Sequence, residues 1–263
     1  MAKHVQNFVL GAGRLYFDPE DSDGNLTGER YLGNTPGFEV QVESENVELW
    51  DSDGPIAEKV EDVTTQVTRA TTIQCNNIND ANLALFVVGS MDDVVSTADS
   101  VTAEPIGGGQ NLVGGRYYQL GVSSDTPTGA RAVENVVVDD GDVTTYVEGD
   151  DYELDAELGR VYIIEGGALD GAPGFADYDT VAGSRTQVIT GDMGAVDGAL
   201  RFIADNTRGR NRDLYAPRVQ LRPDGSLAFK SRDEWMQMQF QAELLRRGDR
   251  AALYIDGRQV VNA

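Results

Sequence analysis

The chemistry-bearing residues of this chain are heavily biased toward carboxylates. There are 28 Asp and 16 Glu against 18 Arg and 3 Lys, with one His and one Cys among 263 residues. A lone His4 excludes histidine-cluster metal sites and triads built around an imidazole. It is read as exposed and inert, in an N-terminal arm. A lone Cys75 excludes a disulfide framework and a cysteine-rich zinc site. Paired carboxylates occur at Asp92-Asp93, Asp139-Asp140 and Asp150-Asp151. Glycoside hydrolysis needs two such groups set across a cleft at a fixed separation. Adjacent acids in so acidic a chain are read as a solvated face instead. Asp21-Ser22-Asp23-Gly24-Asn25 matches the first half of a calcium loop, but Leu26 stands where that loop needs Gly and Leu32 where it needs Glu. It is read as an acidic turn, and Asp51-Ser52-Asp53-Gly54 as a weaker echo. Gly11-Ala12-Gly13 lacks the third glycine of a dinucleotide fingerprint, since Tyr16 takes its place, and no helix is expected after it. No G-x-S-x-G, P-loop or H-E-x-x-H motif is present. The expectation is a protein that is not an enzyme, with no catalytic, metal-ligating or cofactor-binding residues and no cofactors.

The elements that would position any site read mainly as strands. His4–Phe17 is an arm or first strand, and Asp18–Pro36 a long polar loop punctuated by Gly and Pro. Phe38, Val40 and Val42 alternate with Glu39, Gln41 and Glu43, the period-2 pattern of a half-buried strand. After a turn at Asp51–Pro55, Val60–Cys75 is Thr- and Val-rich, with Thr64, Gln66 and Thr68 sharing one parity. Asn79 or Asp80 caps one short helix running to about Val88, ended by Gly89. From Met91 to Gln187 Gly-rich turns separate short strands, with a meander at Val143–Val147, Tyr152–Leu154 and Arg160–Ile164. Arg218–Leu221 and Ser226–Phe229 flank a hairpin signal at Arg222-Pro223-Asp224-Gly225. Met236, Met238, Phe240, Ala242 and Leu244 then alternate with Gln237, Gln239, Gln241 and Glu243, and Tyr254–Val261 closes the series. The organisation expected is a core from 1–90 and 188–263, interrupted by a β-rich segment at 91–187.

Charge limits the partners. The formal net charge is −23. Residues 1–200 carry nine basic and 36 acidic groups, whereas 201–263 carry twelve basic and eight acidic. A chain this acidic is not expected to grip nucleic-acid phosphates, because tight binding needs Lys and Arg to displace counterions. A Lys-poor acidic surface suits high salt, so a halophilic host is one reading and an ordinary acidic surface the other. Arg208, Arg210, Arg212, Arg218 and Arg222 read as one basic patch, for a subunit contact or for local pairing with Asp205, Asp213 and Asp224. The run Phe8-Val9-Leu10 is too short for a signal segment, and no stretch approaches the about 20 apolar residues of a membrane span. A soluble protein with no membrane partner is expected. The three polar strand faces carry Gln, Glu and Thr and almost no cation. They read either as the acidic composition showing through, or as a wall past which a polyanion slides.

One stretch, Arg30-Tyr31-Leu32-Gly33-Asn34-Thr35-Pro36-Gly37-Phe38-Glu39-Val40 with the Glu-rich strand after it, resembles the tail tube (major tail) proteins of long-tailed bacterial or haloarchaeal viruses. The likeness continues through the Thr-rich strand into Ala81–Val88 and closes with Ala216–Gly225 and Trp235–Leu245. The resemblance implies a mainly β, tail-tube-type β-sandwich with one flanking helix. It implies hexameric rings that stack head to tail into a hollow conduit for DNA ejection, located in the virion tail and made in the host cytoplasm. The partners would be other copies, tape-measure and terminator proteins, and double-stranded DNA in passage. Glu39, Gln41, Glu43, Thr64, Gln66, Thr68, Gln237, Gln239, Gln241 and Glu243 would face the lumen. Phe8, Arg30, Tyr31, Arg208, Arg210 and Arg212 would make subunit or ring contacts. A virion surface or adhesin-like β-sandwich is the alternative, with an acidic hydrolase third.

Overall fold

The computed structural model describes residues 7–259, so His4, Val260 and Val261 lie outside the described residues. The chain is mainly β, with antiparallel sheets and one α-helix. In chain order the elements are β1 (Gly13–Pro19), β2 (Arg30–Tyr31), β3 (Gly37–Asp51), β4 (Glu58–Cys75), α1 (Asp80–Phe86), β5 (Ser90–Ser96), β6 (Asp99–Pro105), β7 (Tyr117–Gln119), β8 (Val133–Asp139), β9 (Tyr152–Asp155) and β10 (Arg160–Ile163). Then come β11 (Phe175–Thr180), β12 (Gly183–Ile189), β13 (Val196–Ala204), β14 (Arg212–Asp224), β15 (Met238–Leu244) and β16 (Tyr254–Gly257). The chain divides into two compact units: Met1–Asp92 with Gln187–Ala263, and Asp93–Thr186.

The first unit is built on a sheet of order β2-β1-β13-β14-β15-β4-β3, with β16 paired to β14. Period-2 patterning decides which face is buried. Along β15, Met238, Phe240, Ala242 and Leu244 are buried while Gln239 and Gln241 are exposed. The inward residues of β1, β4, β13, β14 and β15 form one core with Leu15, Phe17, Ile73, Leu200 and Leu221. The sheet curls on itself. Phe38 on the β3 edge meets Phe202 on β13 with ring centroids 5.3 Å apart, and Cys75 at the end of β4 points its Sγ at the Leu32 carbonyl, 3.4 Å away. Helix α1 covers part of the inner face, with Phe86 edge-on to Phe240 at 5.9 Å.

Asn79 caps α1 by accepting a hydrogen bond from the Asn82 N–H at 2.8 Å. The helix ends two residues earlier than expected, and Val88, not Gly89, takes the left-handed conformation after it, with φ 50°. Gly89 is needed there for space. A Cβ at that position would lie 1.7 Å from the Ile189 carbonyl oxygen.

Three other expectations shift. Instead of turning, β14 runs straight through Arg222-Pro223, and Ser226–Phe229 is not a strand. Pro223 is tolerated because β13 pairs with β14 only as far as Leu221, so nothing on that side needs the missing N–H. Strand β15 begins at Met238, which leaves Trp235, Met236 and Gln237 in the loop before it. Val143–Val147 makes one isolated bridge, Thr145 to Asp139, and no strand.

The second unit has its own core. Two three-stranded sheets, β6-β11-β8 and β7-β10-β9, bury Ile106, Leu112, Leu120, Val161, Ile163 and Leu169. Inside it the Tyr178 hydroxyl donates to Glu104 at 2.5 Å, and burial together with that carboxylate pushes the phenol pKa up. Strands β5 and β12 form a separate two-stranded sheet.

Candidate functional site

The polar strand faces noted in the sequence lie side by side. Antiparallel register sets Glu39 opposite Thr72 and Thr72 opposite Gln241, which in turn faces Arg222 on β14. The next row is Gln41, Ala70, Glu243 and Gln220. Gln74, Gln239 and Asp224 line up on the other side. Directly opposite residues share a face, so four adjacent strands, β3, β4, β15 and β14, present one continuous polar strip. The other side of the same strands carries Ile73, Phe240, Ala242 and Leu221 into the core. Hydrophobic burial on one face thus holds the amide- and carboxylate-bearing face toward water.

The strip continues outward through Glu43 opposite Thr68 and Glu45 opposite Gln66. There a bulge intervenes: the register shifts, and Thr64 pairs with Asn46, so the alternation that holds from Gln66 inward is interrupted before Thr64. Gln237 is exposed but precedes the first paired residue of β15. Arg222 adds a cation that the polar-face reading did not include, and its guanidinium donates to Gln220 at 3.1 Å.

Beyond Ala70, β4 pairs only with β3. About a dozen residues of each strand therefore project as a two-stranded ribbon roughly 40 Å long at the usual rise per residue. Both faces of the ribbon are exposed. Val42 is 62% exposed and Ile56 at the tip 80%, and Val47, Leu49, Trp50, Val60 and Val63 are also open. Its charged groups are mostly carboxylates, among them Glu45, Glu48, Asp51, Glu58, Glu61 and Asp62. Lys59 is clasped by Glu48 and Asp62, each at 2.7 Å, and hydrogen bonds to both carboxylates raise its pKa. An isolated two-stranded hairpin is marginal in water, and an apolar edge strand invites pairing.

The expected contact residues separate. Phe8 is exposed, and nearby the Leu10 N–H donates to the Arg208 carbonyl at 3.0 Å. Tyr31 is exposed and tilts against Tyr16, ring centroids 5.5 Å apart. Arg30 instead turns inward: its guanidinium donates to Asn82 Oδ1 at 2.7 Å, and desolvation lowers its pKa. It serves the fold by tying β2 to α1. Arg208, Arg210 and Arg212 are exposed at the start of β14. The five arginines do not make one patch, because β14 is extended and holds Arg212 roughly 30 Å from Arg222. Asp213 pairs with Arg258 at 3.3 Å, an arginine outside that cluster.

The acidic motifs are closed by backbone. Asp21 Oδ1 accepts from the N–H groups of Asp23 and Asn25 at 2.9 and 2.8 Å, which lowers its pKa, and closes a turn between Glu20 and Leu26. Asp140 accepts from the N–H groups of Asp142, Val143 and Thr144, and these bonds pull its carboxyl down to about 2. Asp151 takes the N–H groups of Val147 and Ala168. Among the described residues no group of three or more His, Cys, Asp or Glu is arranged to hold a metal ion, and no helix is long and apolar enough to cross a membrane.

Sequence reading passed over Asn82, wholly buried in the helix, and read Ser226–Phe229 and Trp235–Gln237 as strand where the structure has an aromatic loop. Asn82 donates to the Leu32 and Asn77 carbonyls, both at 2.8 Å.

A family model described as protein of unknown function UCP028589 matches residues 8–252, and the chain belongs to that family. No curated protein matches the chain.

Proposed function

We propose that this protein is a structural subunit that assembles with copies of itself into a hollow tube of the viral tail type, hexameric rings stacked head to tail. The observation that carries the reading is the polar strip on β14, β15, β4 and β3. A strip of Gln, Glu and Thr, polar and poor in cations, offers water-bound hydrogen-bonding groups and repels phosphate. Strands of neighbouring copies laid edge to edge would extend it into a closed wall and remove the open β3 edge. The acidic apolar ribbon supplies an arm that needs a partner. Double-stranded DNA would pass along such a bore without being gripped. On this reading the protein acts through shape and charge and has no active site; its other partners are further tail proteins, and it resides in the virion tail.

Negative-stain imaging of the purified chain tests the proposal. Hollow tubes or six-fold rings are expected. Monodisperse monomers at every concentration and salt condition count against it and favour the second reading, a virion surface or decoration module. That reading draws on the second unit, which buries a hydrophobic core of its own.

A further inference from the structure

Along β3 the side chains alternate without a break, so Glu39, Gln41, Glu43 and Glu45 on the strip side are followed there by Val47 and Leu49. Val63 stands opposite Val47, and Glu61 opposite Leu49. The face that is polar along the sheet therefore turns apolar in the outer part of the ribbon. Val47 is 63%, Leu49 58% and Val63 51% exposed. Glu61 and the next pair outward, Asp51 and Glu58, rim this apolar centre. None of the three has a cation within 4 Å among the described residues. Lys59, the one basic residue between Glu43 and Thr68, stands opposite Trp50 on the other face and is taken by Glu48 and Asp62.

A second exposed apolar surface carries the opposite rim. Phe8 and Leu10 are each 64% exposed, and Val9 51%. The segment lies against Gly209, where a Cβ would come within 2.8 Å of the Phe8 carbonyl oxygen. Arg208, Arg210 and Arg212 are exposed and have no carboxylate within 4 Å among the described residues. Asp205 is the one carboxylate between Ala204 and Arg212. Asp213 and Asp256 stand opposite each other on the side of β14 away from Arg212.

We propose that the Val47–Val63–Leu49 face of one copy's ribbon docks on Phe8–Leu10 of a second copy, with Glu58 and Glu61 facing Arg208 and Arg210. Charge selects a second copy as the occupant. The ribbon face is rimmed by carboxylates alone, and the receiving rim holds three arginines to one aspartate, so the signs complement each other. Apolar centre meets apolar centre, as in the desolvated middle of a protein interface. Both surfaces are open in the same chain, so neither is covered by the other from within. Two unlike surfaces on one chain make a heterologous contact, which propagates from copy to copy. This deepens the tube reading by naming a contact between copies, and it rests on that reading only for the larger architecture.

The test mixes Val47→Cys chains with Leu10→Cys chains under mild oxidation. Cys75 is buried and stays silent. A mixed disulfide dimer in excess over either homodimer is expected. In parallel, Phe8→Ala should raise the concentration needed for association by at least about tenfold, as loss of an anchor residue does. Arg208→Glu with Arg210→Glu should do the same and be rescued by Glu58→Arg with Glu61→Arg. Neutralising Glu58 and Glu61 alone should leave association within about threefold, because exposed ion pairs are individually weak. Absence of the mixed dimer at concentrations where the unaltered chain associates, a charge swap that rescues nothing, or an unaltered chain that stays monomeric throughout, overturns the contact. Rings or tubes that assemble equally well with Phe8→Ala overturn it while leaving the tube reading intact. Cross-linked open chains without rings or tubes support it and sink the tube reading.

Discussion

Phe38 and Phe202 meet with ring centroids 5.3 Å apart although their strands, β3 and β13, are separated by three others in the hydrogen-bonded ladder. That distance is spanned only if the sheet curls until its edge faces its middle. The pair therefore acts as a clasp on the curvature that sets the direction of the polar strip. Phe38→Ala is expected to lower unfolding free energy by about 2–3 kcal/mol, less than a fully buried ring because Phe38 is only half-buried. Urea unfolding followed by circular dichroism measures it. A loss below about 0.5 kcal/mol would mean the clasp carries no strain and the curl is set elsewhere.

Asn82 shows why a buried amide is retained in an apolar helix. Its Nδ2 satisfies the Leu32 and Asn77 carbonyls, and its Oδ1 accepts from Arg30. Replacing it with Leu removes the short bonds to those carbonyls and to a half-buried guanidinium, leaving only longer ones from Cys75 Sγ and Asn77 Nδ2 and, for Arg30, to the Ala81 carbonyl. A cost of about 2–4 kcal/mol is expected, since stranded buried polar groups, charged ones above all, are expensive. The loss should exceed that of Ala84→Gly on the same helix, which combines helix propensity with the loss of one buried methyl at about 1–2 kcal/mol. Equal losses in thermal melts would reduce Asn82 to a helix-former.

What the sequence disclosed, and what it did not, follows from the range of the forces involved. Alternation is a local signal, so Met238–Leu244, with Gln239 and Gln241 opposed to Met238 and Phe240, was legible without coordinates. A cap at Asn79 or Asp80 was legible for the same reason, and the structure selects Asn79. Arg30 was not. Charged and polar, it reads as a surface group until Asn82, distant in sequence, comes beside it. Thr64 was assigned by parity alone, and a bulge between Glu45 and Asn46, which no period reveals, breaks that parity. The hairpin signal at Pro223-Asp224-Gly225 was overridden by tertiary pairing to β15, which keeps β14 extended to Asp224. The arginine cluster looked like a patch because nearness in sequence was taken for nearness in space, and an extended strand separates its members.

The Asp140 turn gives an acid-range prediction. Backbone N–H groups from Asp142, Val143 and Thr144 stabilise the charged carboxylate and bring its pKa to about 2. A folded-state pKa below the unfolded value means that the stabilisation is present in full above about pH 4, near the unfolded carboxylate value. It is lost as pH falls from there through about 2. Asp140→Ala should therefore melt earlier than the unaltered protein at pH 7 and converge on it toward pH 2. Melting curves of both proteins across pH 2–7 that stay parallel would show that the turn does not depend on this charge.

The polar strip is most directly probed by giving it a grip. Gln239 and Gln241 are exposed, while their neighbours Met238, Phe240 and Ala242 are buried, so Gln239→Lys with Gln241→Lys alters the water-facing side alone. Stability should move by no more than about 0.5 kcal/mol per site, as for substitutions away from packed features. Assembly should survive, because the altered groups point away from both the core and the strand edges. Passage of DNA should not. Each copy would add two ammonium groups along the bore, and each lysine that pairs with a phosphate releases a condensed counterion and holds the polyanion in place. Ejection from particles carrying the variant should slow, and recover as salt is raised. A ribbon pair that changes net charge by the same two units, Glu61→Gln with Glu58→Gln, serves as the control for net charge, since those positions lie outside the strip. If both variants slow ejection equally, bulk charge is responsible. If the Gln239/Gln241 variant ejects at the unaltered rate at low salt, the strip does not face the DNA, and the surface that these four strands keep so uniformly polar must serve a partner other than a passing polyanion.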